Sequence, residues 1–227
     1  MDRTGGEGAW AIVTMDRFGS SLERTHQLLS KRRRGRLAKA ILQDVLEAIQ
    51  GSRLLDRIVV VTHDSDVAAF VRGEGFPVVD PGRKAEAPIR GVIESAEDEG
   101  AETVALLRGD LALLEAQDLA FLVGRMAHGA GLVLVPTPGQ SGLSIVIATP
   151  ENGAPGDFEV GGLESWREQA ETRGIATEGY GIRAGLRPSG PHDLLVMYTA
   201  ARPSRGKALL KDWGLGPKLR RIEETEP

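Results

Sequence analysis

Asp110 is the residue whose type and position most directly suggest chemistry. It follows the short apolar run Val104–Leu107 after only Arg108 and Gly109, so it stands just past the end of a predicted buried strand. In α/β proteins the carboxyl ends of the strands form the edge where ligands bind. Magnesium is usually held by one or two carboxylates together with substrate phosphates. Asp110 is therefore a candidate metal ligand, and the alternative is that it stabilises a turn.

The loop after the first predicted strand is a second candidate for chemistry. The strand is Ala9–Met15, and the loop Asp16–Arg24 contains Gly19, Ser20 and Ser21. A loop of glycine and serine in this position can present backbone N–H groups to a phosphate. The alternative is an ordinary surface loop, because the chain contains neither a Walker A motif nor a GxGxxG pattern.

The clearest predicted helix is Leu28–Ile49, with Ser30 as its N-terminal cap. Apolar residues recur along it at the three–four spacing of one buried face. Its first turns carry a cluster of cations, which is unfavourable at the positive end of a helix dipole: Lys31, Arg32, Arg33, Arg34 and Arg36. The cluster indicates either an anionic partner or a solvated basic face. Nucleic acid is not favoured, because no aromatic residues alternate with the cations and no second basic cluster is close in sequence.

Strands and helices alternate along most of the chain, and this order predicts the fold. Further strands are predicted at Ile58–Thr62, Phe76–Val79, Val104–Leu107, Gly131–Pro136 and Ser144–Ala148. Further helices are predicted at Val67–Gly75, Ile89–Glu99, Asp118–Met126, Leu163–Arg173 and Lys207–Trp213. The last predicted strands are Ile175–Ile182 and Leu194–Tyr198. Right-handed crossovers then give an α/β fold with a mostly parallel, Rossmann-like sheet flanked by helices.

We expect a single domain over residues 9–200. Residues 9–136 form its larger half, and residues 137–200 form a smaller C-terminal lobe that covers the carboxyl edge of the sheet. The lobe begins where glycine and proline become frequent. Residues 1–8 and 214–227 are predicted to be flexible tails.

Composition excludes several classes of function. The 227 residues carry a net charge of −4, so there is no overall positive field for nucleic acid. No apolar run approaches the ~18 residues of a membrane span. The absence of cysteine excludes disulfides, thiol catalysis and cysteine metal sites, and with no secretory signal pattern it predicts a cytoplasmic protein. The four histidines stand singly, without a zinc-binding spacing.

Four stretches of the chain, taken in order, resemble the 2-phospho-L-lactate guanylyltransferase family: Trp10–Val13, Leu29–Ile49, Leu55–Gly82 and Gly109–Leu119. Weaker matches follow at Gly142–Ile147 and Phe158–Trp166. The resemblance implies the GT-A fold of nucleotide-diphospho-sugar transferases, in its molybdopterin-guanylyltransferase-like form. It makes residues 9–136 the nucleotide-binding half and residues 137–200 the acceptor lobe.

The resemblance also implies a reaction. Members of the family join the GMP part of GTP to the phosphate of a phospho-acid such as 2-phospho-L-lactate or phosphoenolpyruvate, and pyrophosphate leaves. The product enters the synthesis of a deazaflavin coenzyme. Divalent cations, here Mg²⁺, and basic groups neutralise the two anionic substrates, and a homodimer is a further expectation. The alternative is a catalytically inactive relative that acts as a nucleotide-sensing or protein-interaction subunit.

The matched positions give a set of expected site residues. Asp110 matches the metal-binding aspartate of the family, and Arg24 matches an arginine of the loop after the first strand. These two are the expected catalytic residues. Nucleotide binding is expected from Arg17, Glu86 and Gly109 and, on the loop argument given above, from Gly19, Ser20 and Ser21. Binding of the phospho-acid is expected from Gly142, Ser144, Gly161, Gly162 and Ser165.

The chain departs from the family at a second carboxylate site. The resemblance places an Asp-x-Asp pair on the last predicted strand, where this chain has Val196 and Tyr198. Asp193 lies three residues before Val196, and on a strand such a shift would place it on the opposite face. Asp110 is then the single expected carboxylate ligand, which is the reason for keeping the non-catalytic alternative.

Overall fold

Seven strands form one sheet in the computed structural model, which describes residues 8–80, 88–138, 142–152, 162–181 and 183–223. The strands are β1 Ala9–Thr14, β2 Arg57–Val61, β3 Val78–Val79, β4 Thr103–Arg108, β5 Leu132–Pro136, β6 Leu143–Ala148 and β7 Thr177–Gly179. The helices are α1 Lys31–Ser52, α2 Ser65–Gly73, α3 Pro88–Asp98, α4 Ala116–Ala127, α5 Gly162–Thr172, α6 Pro191–Thr199, α7 Arg205–Asp212 and α8 Gly216–Glu223. Short 3-10 turns lie at Glu23–Thr25, Pro150–Asn152 and Arg183–Gly185.

The strands lie in the order β3-β2-β1-β4-β6-β5-β7. The pairs β1–β2, β1–β4, β2–β3 and β5–β7 are parallel, whereas β6 is antiparallel to both of its neighbours, β4 and β5. The prediction of a mostly parallel α/β sheet flanked by helices is confirmed. After β1 the chain extends the sheet on one side as far as β3, and β4 then returns to the other side of β1. The strand order therefore reverses between β1 and β4.

Alternate residues of the strands face two separate cores. Val13 of β1 and Leu107 of β4 face the core formed with α1, α2, α4, α6, α7 and α8. Their neighbours Ile12 and Leu106 face the other core, which α3 and α5 cover. Because both faces of the sheet are buried, the strands are continuous apolar runs rather than alternating ones.

The first helix, α1, has the buried face that its spacing predicts. Its buried residues include Leu37, Ile41, Leu42, Val45, Leu46 and Ile49. Ser30 is the cap, as predicted, and its Oγ accepts a hydrogen bond from the backbone N–H of Arg33 at 3.4 Å. The helix thereby fixes the position of the β1–α1 loop relative to the sheet.

The predicted strand Leu194–Tyr198 is wrong, because these residues lie in α6. Pro191 occupies the first turn, where its missing N–H would have no helical partner in any case. Asp193 Oδ2 accepts hydrogen bonds from the backbone N–H groups of Ser189 at 2.8 Å and Gly190 at 2.9 Å. These are signals of a helix start, and they outweigh the apolar, β-forming character of the run.

The C-terminal tail is a second correction. Residues 214–227 are predicted to be flexible, but Gly216–Glu223 form α8. Leu215 and Leu219 are buried in the core that also contains α1 and α6. The helix is short and has few apolar residues, so its periodicity gives little signal. Residues 224–227, and residues 1–7 of the other predicted tail, lie outside the described residues.

The predicted C-terminal lobe contributes strands to the same sheet. β6 lies between β4 and β5, and β7, which is shorter than predicted, pairs with β5. The division into a nucleotide-binding half and an acceptor lobe stays a prediction. Among the helices in the described ranges, none has the length and apolar character needed to cross a membrane.

Candidate functional site

The carboxyl ends of β1 and β4 border a cavity of about 220 Å³. Thr14 of β1 lies opposite Arg108 of β4, so the two strands end side by side. The strand order reverses at this point, and open α/β sheets bind ligands at such points. The cavity brings together three predicted site residues and five others: Thr14, Met15, Asp16, Ser20, Ser21, Arg108, Asp110 and Arg187.

Asp110 is paired with Arg187 in this cavity. Nε of Arg187 donates to Oδ1 of Asp110 at 2.8 Å, and Nη2 donates to Oδ2 at 3.2 Å. This is the bidentate geometry of an arginine–carboxylate pair. The side chain of Asp110 is 7% exposed and that of Arg187 is 17% exposed. The two charges therefore neutralise each other within a largely buried site.

Arg187 is positioned by the residues that precede it. Ser144 Oγ donates to the carbonyl oxygen of Gly185 at 2.6 Å, and the N–H of Ala112 donates to the carbonyl oxygen of Leu186 at 3.0 Å. The first hydrogen bond ties this segment to β6, and the second ties it to the loop after β4. Both members of the ion pair are therefore held by fixed backbone.

The loop between β1 and α1 brings two serines to the cavity. It is anchored in the core by two leucines that are fully buried, Leu22 and Leu29. Gly19 has φ of +82°, and a Cβ there would approach Cβ of Arg34 at 3.1 Å, so this turn requires glycine. The loop is packed against the core rather than extended over the surface, and its binding of phosphate stays a prediction.

Gly109 allows the end of β4 to pack closely. A Cβ at Gly109 would lie 3.0 Å from Leu42 and 3.1 Å from the sulfur of Met15. A side chain at this position would crowd the side chains of Leu42 and Met15. Gly109 thus allows close packing beside the cavity, and its contact with nucleotide stays a prediction.

Two predicted arginines lie outside the cavity. Arg24 is exposed in the 3-10 turn Glu23–Thr25, at the end of the loop. Arg17 is exposed as well, and its Nη2 lies 3.5 Å from Oε1 of Glu23. Neither lines the cavity, so the structure does not bring them to Asp110, and their expected roles stay predictions.

Ser144 lies in β6, within the strand predicted for it. It is fully buried in β6, and its hydroxyl bonds to Gly185 and to Thr137 Oγ1, which lies 2.8 Å away. Both hydrogen bonds are within the chain, and the expectation that Ser144 binds a substrate stays a prediction. Gly142 lies just before β6, where its carbonyl oxygen accepts a hydrogen bond from the N–H of Thr137 at 2.9 Å.

The remaining predicted residues are spread over other parts of the chain. Gly162 and Ser165 lie in the first turns of α5, which packs on the face of the sheet opposite to α1. Ser165 Oγ accepts a hydrogen bond from Gln169 Nε2 at 3.1 Å. Glu86 and Gly161 lie outside the described residues. Roles for these four positions in binding stay predictions.

Asp110, as it is paired in this structure, does not fit a magnesium ion held by the protein, and Asp16 is the other carboxylate residue that lines the cavity. Both carboxylate oxygens of Asp110 already accept hydrogen bonds from Arg187. Val196 and Tyr198, the expected positions of the Asp-x-Asp pair, lie on α6 and do not line the cavity. Asp193 caps that helix. Within the described parts of the chain, no group of three or more His, Cys, Asp or Glu could hold a metal ion.

Sequence reasoning missed Arg108 and Arg187. Arg108 carried a usable signal, because it is a cation at the end of a buried strand and two positions before Asp110. Arg187 carried none, because its partner is 77 positions away and its neighbours form an ordinary turn with proline and glycine. The cavity is therefore lined by two arginines, Arg108 and Arg187, as well as by the acidic residues Asp16 and Asp110.

A larger cavity, of about 580 Å³, lies between α1, the start of α4 and the start of α7. Its charges are paired: Arg183 Nη1 lies 2.7 Å from Glu115 Oε1, and Arg205 Nη1 lies 3.0 Å from Asp44 Oδ1. The guanidinium of Arg183 lowers the pKa of Glu115. None of the predicted site residues in the described ranges lines this cavity, so the site is placed at β1 and β4.

The basic start of α1 has partners within the chain. The guanidinium carbons of Arg33 and Arg36 lie 5.3 Å and 5.8 Å from the ring centre of Trp213. Arg34 Nη1 donates to the carbonyl oxygen of Leu29 at 3.0 Å. An aromatic residue from the far end of the chain thus stands among these cations. Arg33, Arg34 and Arg36 therefore have contacts within the chain, and this part of the basic cluster does not require an anionic partner.

Comparison with known proteins decides the family. Residues 35–151, just over half of the chain, match the sequence profile of the MobA-like NTP transferase domain. The chain belongs to the MobA-like NTP transferase family. The matched region runs from α1 through β6 and contains Arg108 and Asp110.

Curated relatives of this NTP transferase are guanylyltransferases. It is 30% identical over 173 residues to a phosphoenolpyruvate guanylyltransferase of Conexibacter woesei, covering 74% of this chain and 77% of that one. It is 29% identical over 143 residues to a 2-phospho-L-lactate guanylyltransferase of Methanothermobacter thermautotrophicus, covering 62% and 61%. The resemblance found in the sequence is confirmed, and the chain is a nucleotidyltransferase.

Solved structures share the fold of this transferase at low sequence identity. A candidate nucleotide-diphospho-sugar transferase from Desulfovibrio desulfuricans matches with a TM-score of 0.77 at 14% identity, covering 95% of this chain and 98% of that one. A cytidylyltransferase from Leptospira borgpetersenii matches with a TM-score of 0.58 at 15% identity, covering 94% and 97%. These matches confirm the predicted GT-A-like fold.

Proposed function

We propose that this transferase moves GMP from GTP to the phosphate of a phospho-acid such as phosphoenolpyruvate or 2-phospho-L-lactate. The observation that carries the proposal is the 30% identity over 77% of the phosphoenolpyruvate guanylyltransferase of Conexibacter woesei. The cavity supports it, because Arg108 and Arg187 lie where the strand order reverses, the place where an anionic nucleotide would bind.

The reaction joins the α-phosphate of GTP to the phosphate of the phospho-acid and releases pyrophosphate. A phosphate oxygen of the phospho-acid attacks the α-phosphorus of GTP and forms a new P–O bond. The bond from the α-phosphorus to the oxygen that bridges to the β-phosphate breaks, and the electron pair leaves with pyrophosphate. The protein needs no covalent nucleophile for this exchange.

The chain's contribution is to hold two anions in line and to stabilise the charge that moves to pyrophosphate. Fixed positive groups in a site with little water stabilise such charge more strongly than the same groups in solution, and alignment of the reactants lowers the entropic part of the barrier. Arg108 and Arg187 are the cavity residues suited to this. No step is assigned to a protein-held Mg²⁺, because Asp110 is already paired.

The alternative of a nucleotide-sensing or protein-interaction subunit receives no support from the relatives, which bear the names of enzymes. The product of the proposed reaction is a guanylylated phospho-acid, for which use in a deazaflavin coenzyme stays a prediction. A homodimer and a cytoplasmic location are kept as predictions in the same way.

The test is the release of pyrophosphate. Purified full-length chain is incubated with GTP and either phosphoenolpyruvate or 2-phospho-L-lactate, and with ATP, CTP or UTP in place of GTP. We expect pyrophosphate to form with GTP and one of the phospho-acids. Absence of pyrophosphate with every pair would refute the proposal and favour the non-catalytic alternative.

Asp110→Asn tests whether the cavity at β1 and β4 is the active site. The substitution removes the negative charge of Asp110 and weakens its hydrogen bonds to Arg187. We therefore expect kcat to fall about tenfold or more with a smaller change in KM. Glu115→Gln is the matched control, since it weakens the Glu115–Arg183 pair in the larger cavity and should leave kcat within about twofold of the wild type. Equal loss in both variants would place the reaction elsewhere.

A further inference from the structure

The Asp110–Arg187 pair affects which cation can lie beside Asp110. A magnesium ion on an oxygen of Asp110 would lie about 2.1 Å from that oxygen. The same oxygens are 2.8 Å and 3.2 Å from the nitrogens of Arg187. A divalent cation and the guanidinium would then lie within about 5 Å of each other and would repel in a poorly solvated site.

Displacing Arg187 does not remove this conflict. Its backbone neighbours are tied to β6 and to the loop after β4, through the carbonyl oxygens of Gly185 and Leu186. The guanidinium would stay near the cavity and lose its counter-charge, and a buried charge without its partner is strongly unfavourable. The arrangement therefore favours arginine, rather than a metal ion, as the cation beside Asp110.

We propose that Arg187 contacts the nucleotide phosphates directly and supplies, from the chain itself, the positive charge beside Asp110, so that GTP binds without a divalent cation. The inference rests on the proposed function for the identity of the nucleotide. Asp110 is a positioning residue in this arrangement. It fixes the plane of the guanidinium through two hydrogen bonds, which suits the bidentate contact that arginine makes with phosphate.

The experiment measures GTP binding by thermal unfolding and by calorimetry, once with Mg²⁺ and once with EDTA. For the wild type we expect the same dissociation constant, within about threefold, in both conditions. At a hundred times the dissociation constant the melting temperature should rise by about 5–10 °C in each. Binding that appears with Mg²⁺ and is absent in EDTA would overturn the proposal.

Arg187→Gln is the main variant. In EDTA it should bind GTP about tenfold or more weakly than the wild type, because a charge-assisted contact is lost. Mg²⁺ should restore part of the affinity, because Asp110 then offers both oxygens to a cation. Arg183→Gln is the matched control, since it removes an arginine from an ion pair in the larger cavity, and its affinity should equal that of the wild type.

Two more variants keep the test informative if Arg187→Gln folds poorly. Arg187→Lys retains the charge without the bidentate geometry, so its affinity in EDTA should lie between those of the wild type and Arg187→Gln. Asp110→Asn should bind GTP as tightly as the wild type or more tightly, because a negative charge near the phosphates is removed. Weaker binding of Asp110→Asn in Mg²⁺ alone would identify Asp110 as a metal ligand and overturn the proposal.

The outcomes separate this inference from the proposed function. GTP binding in EDTA that depends on Arg187, without pyrophosphate release from any phospho-acid, supports the inference and refutes the proposed reaction. Pyrophosphate release with GTP binding that requires Mg²⁺ and is unchanged in Arg187→Gln supports the reaction and refutes the inference.

Discussion

Ser144→Ala distinguishes a substrate-binding serine from a structural one. In the structure, Ser144 Oγ donates to the carbonyl oxygen of Gly185 at 2.6 Å and lies 2.8 Å from Thr137 Oγ1. A serine hydroxyl has one hydrogen. Because Ser144 uses it on Gly185, the hydroxyl of Thr137 must donate to Ser144, and the three groups form a short buried relay.

The size of the effect follows from what each variant leaves behind. Ser144→Ala removes both hydrogen bonds and leaves a buried carbonyl and a buried hydroxyl without these partners, which together cost about 2–4 kcal/mol of the free energy of unfolding. Thr137→Val removes one bond and leaves the Ser144–Gly185 bond intact, so it should cost about 1 kcal/mol. In a chain of this length, each 1 kcal/mol lowers the melting temperature by about 2–4 °C.

The assay is denaturant unfolding, supported by thermal unfolding. Ser165→Ala is the matched control, since Ser165 is another predicted substrate residue and lies near the surface in α5; its stability should change by less than about 0.5 kcal/mol. The double variant Ser144→Ala with Thr137→Val should cost no more than Ser144→Ala alone, because both exchanges break one relay.

One result would refute this reasoning. If Ser144→Ala is as stable as Ser165→Ala and binds a phospho-acid about tenfold more weakly than the wild type, the hydroxyl faces substrate as the sequence resemblance implied. The relay of Thr137, Ser144 and Gly185 would then be absent in solution.

Two further predictions concern the C-terminal helix and a surface ion pair. Leu219→Ala should cost about 2–5 kcal/mol, because Leu219 is fully buried in α8; the exposed Lys218→Ala is its control, and equal melting temperatures would show that α8 does not pack. The hydrogen bond from Arg125 lowers the pKa of Glu178 from 4.5 to about 2. A lowered carboxyl pKa stabilises the fold above pH 4.5 and loses that effect as the pH falls toward 2. Glu178→Gln should therefore melt below the wild type at pH 7, with the gap closing toward pH 3; a gap that widens in acid would contradict this.

The sequence was sufficient for the parts of the fold that local patterns specify. The spacing of apolar residues from Leu37 to Ile49 predicted α1 and its buried face, and Ser30 predicted where it begins. The apolar runs predicted β1, β2, β4 and β5 to within one or two residues at each end. In each case the signal lies within one element, and burial on both faces of the sheet makes it strong.

Short apolar runs were the weak point. Leu194–Tyr198 fits a strand or a buried turn of helix equally well by periodicity. The start signals at Pro191 and Asp193 decide between them in the structure. Val196 and Tyr198 lie in this helix and do not line the cavity. The wrong element type therefore also gave a wrong location for the expected second carboxylate site.

The site itself was predictable only in part. Asp110, Ser20 and Ser21 were predicted and do line one cavity, because the ends of β1 and β4 follow from the strand pattern and their adjacency follows from the fold. Arg187 was not found, because nothing in the sequence links it to Asp110 across 77 positions. The charge of a site depends on such long-range pairs, whereas its location depends on topology.

The Asp110–Arg187 pair gives an aspartate a place in the cavity if that cavity binds phosphate as proposed. A guanidinium that is largely buried is unfavourable without a counter-charge, and Asp110 supplies one when nucleotide is absent. A guanidinium has five N–H donors in one plane, of which two bond to Asp110. In the proposed arrangement, phosphate oxygens approach the guanidinium from the cavity while Asp110 keeps its two hydrogen bonds to Arg187. A carboxylate in this role orients the cation, and under this proposal chelation of metals should leave GTP binding unchanged.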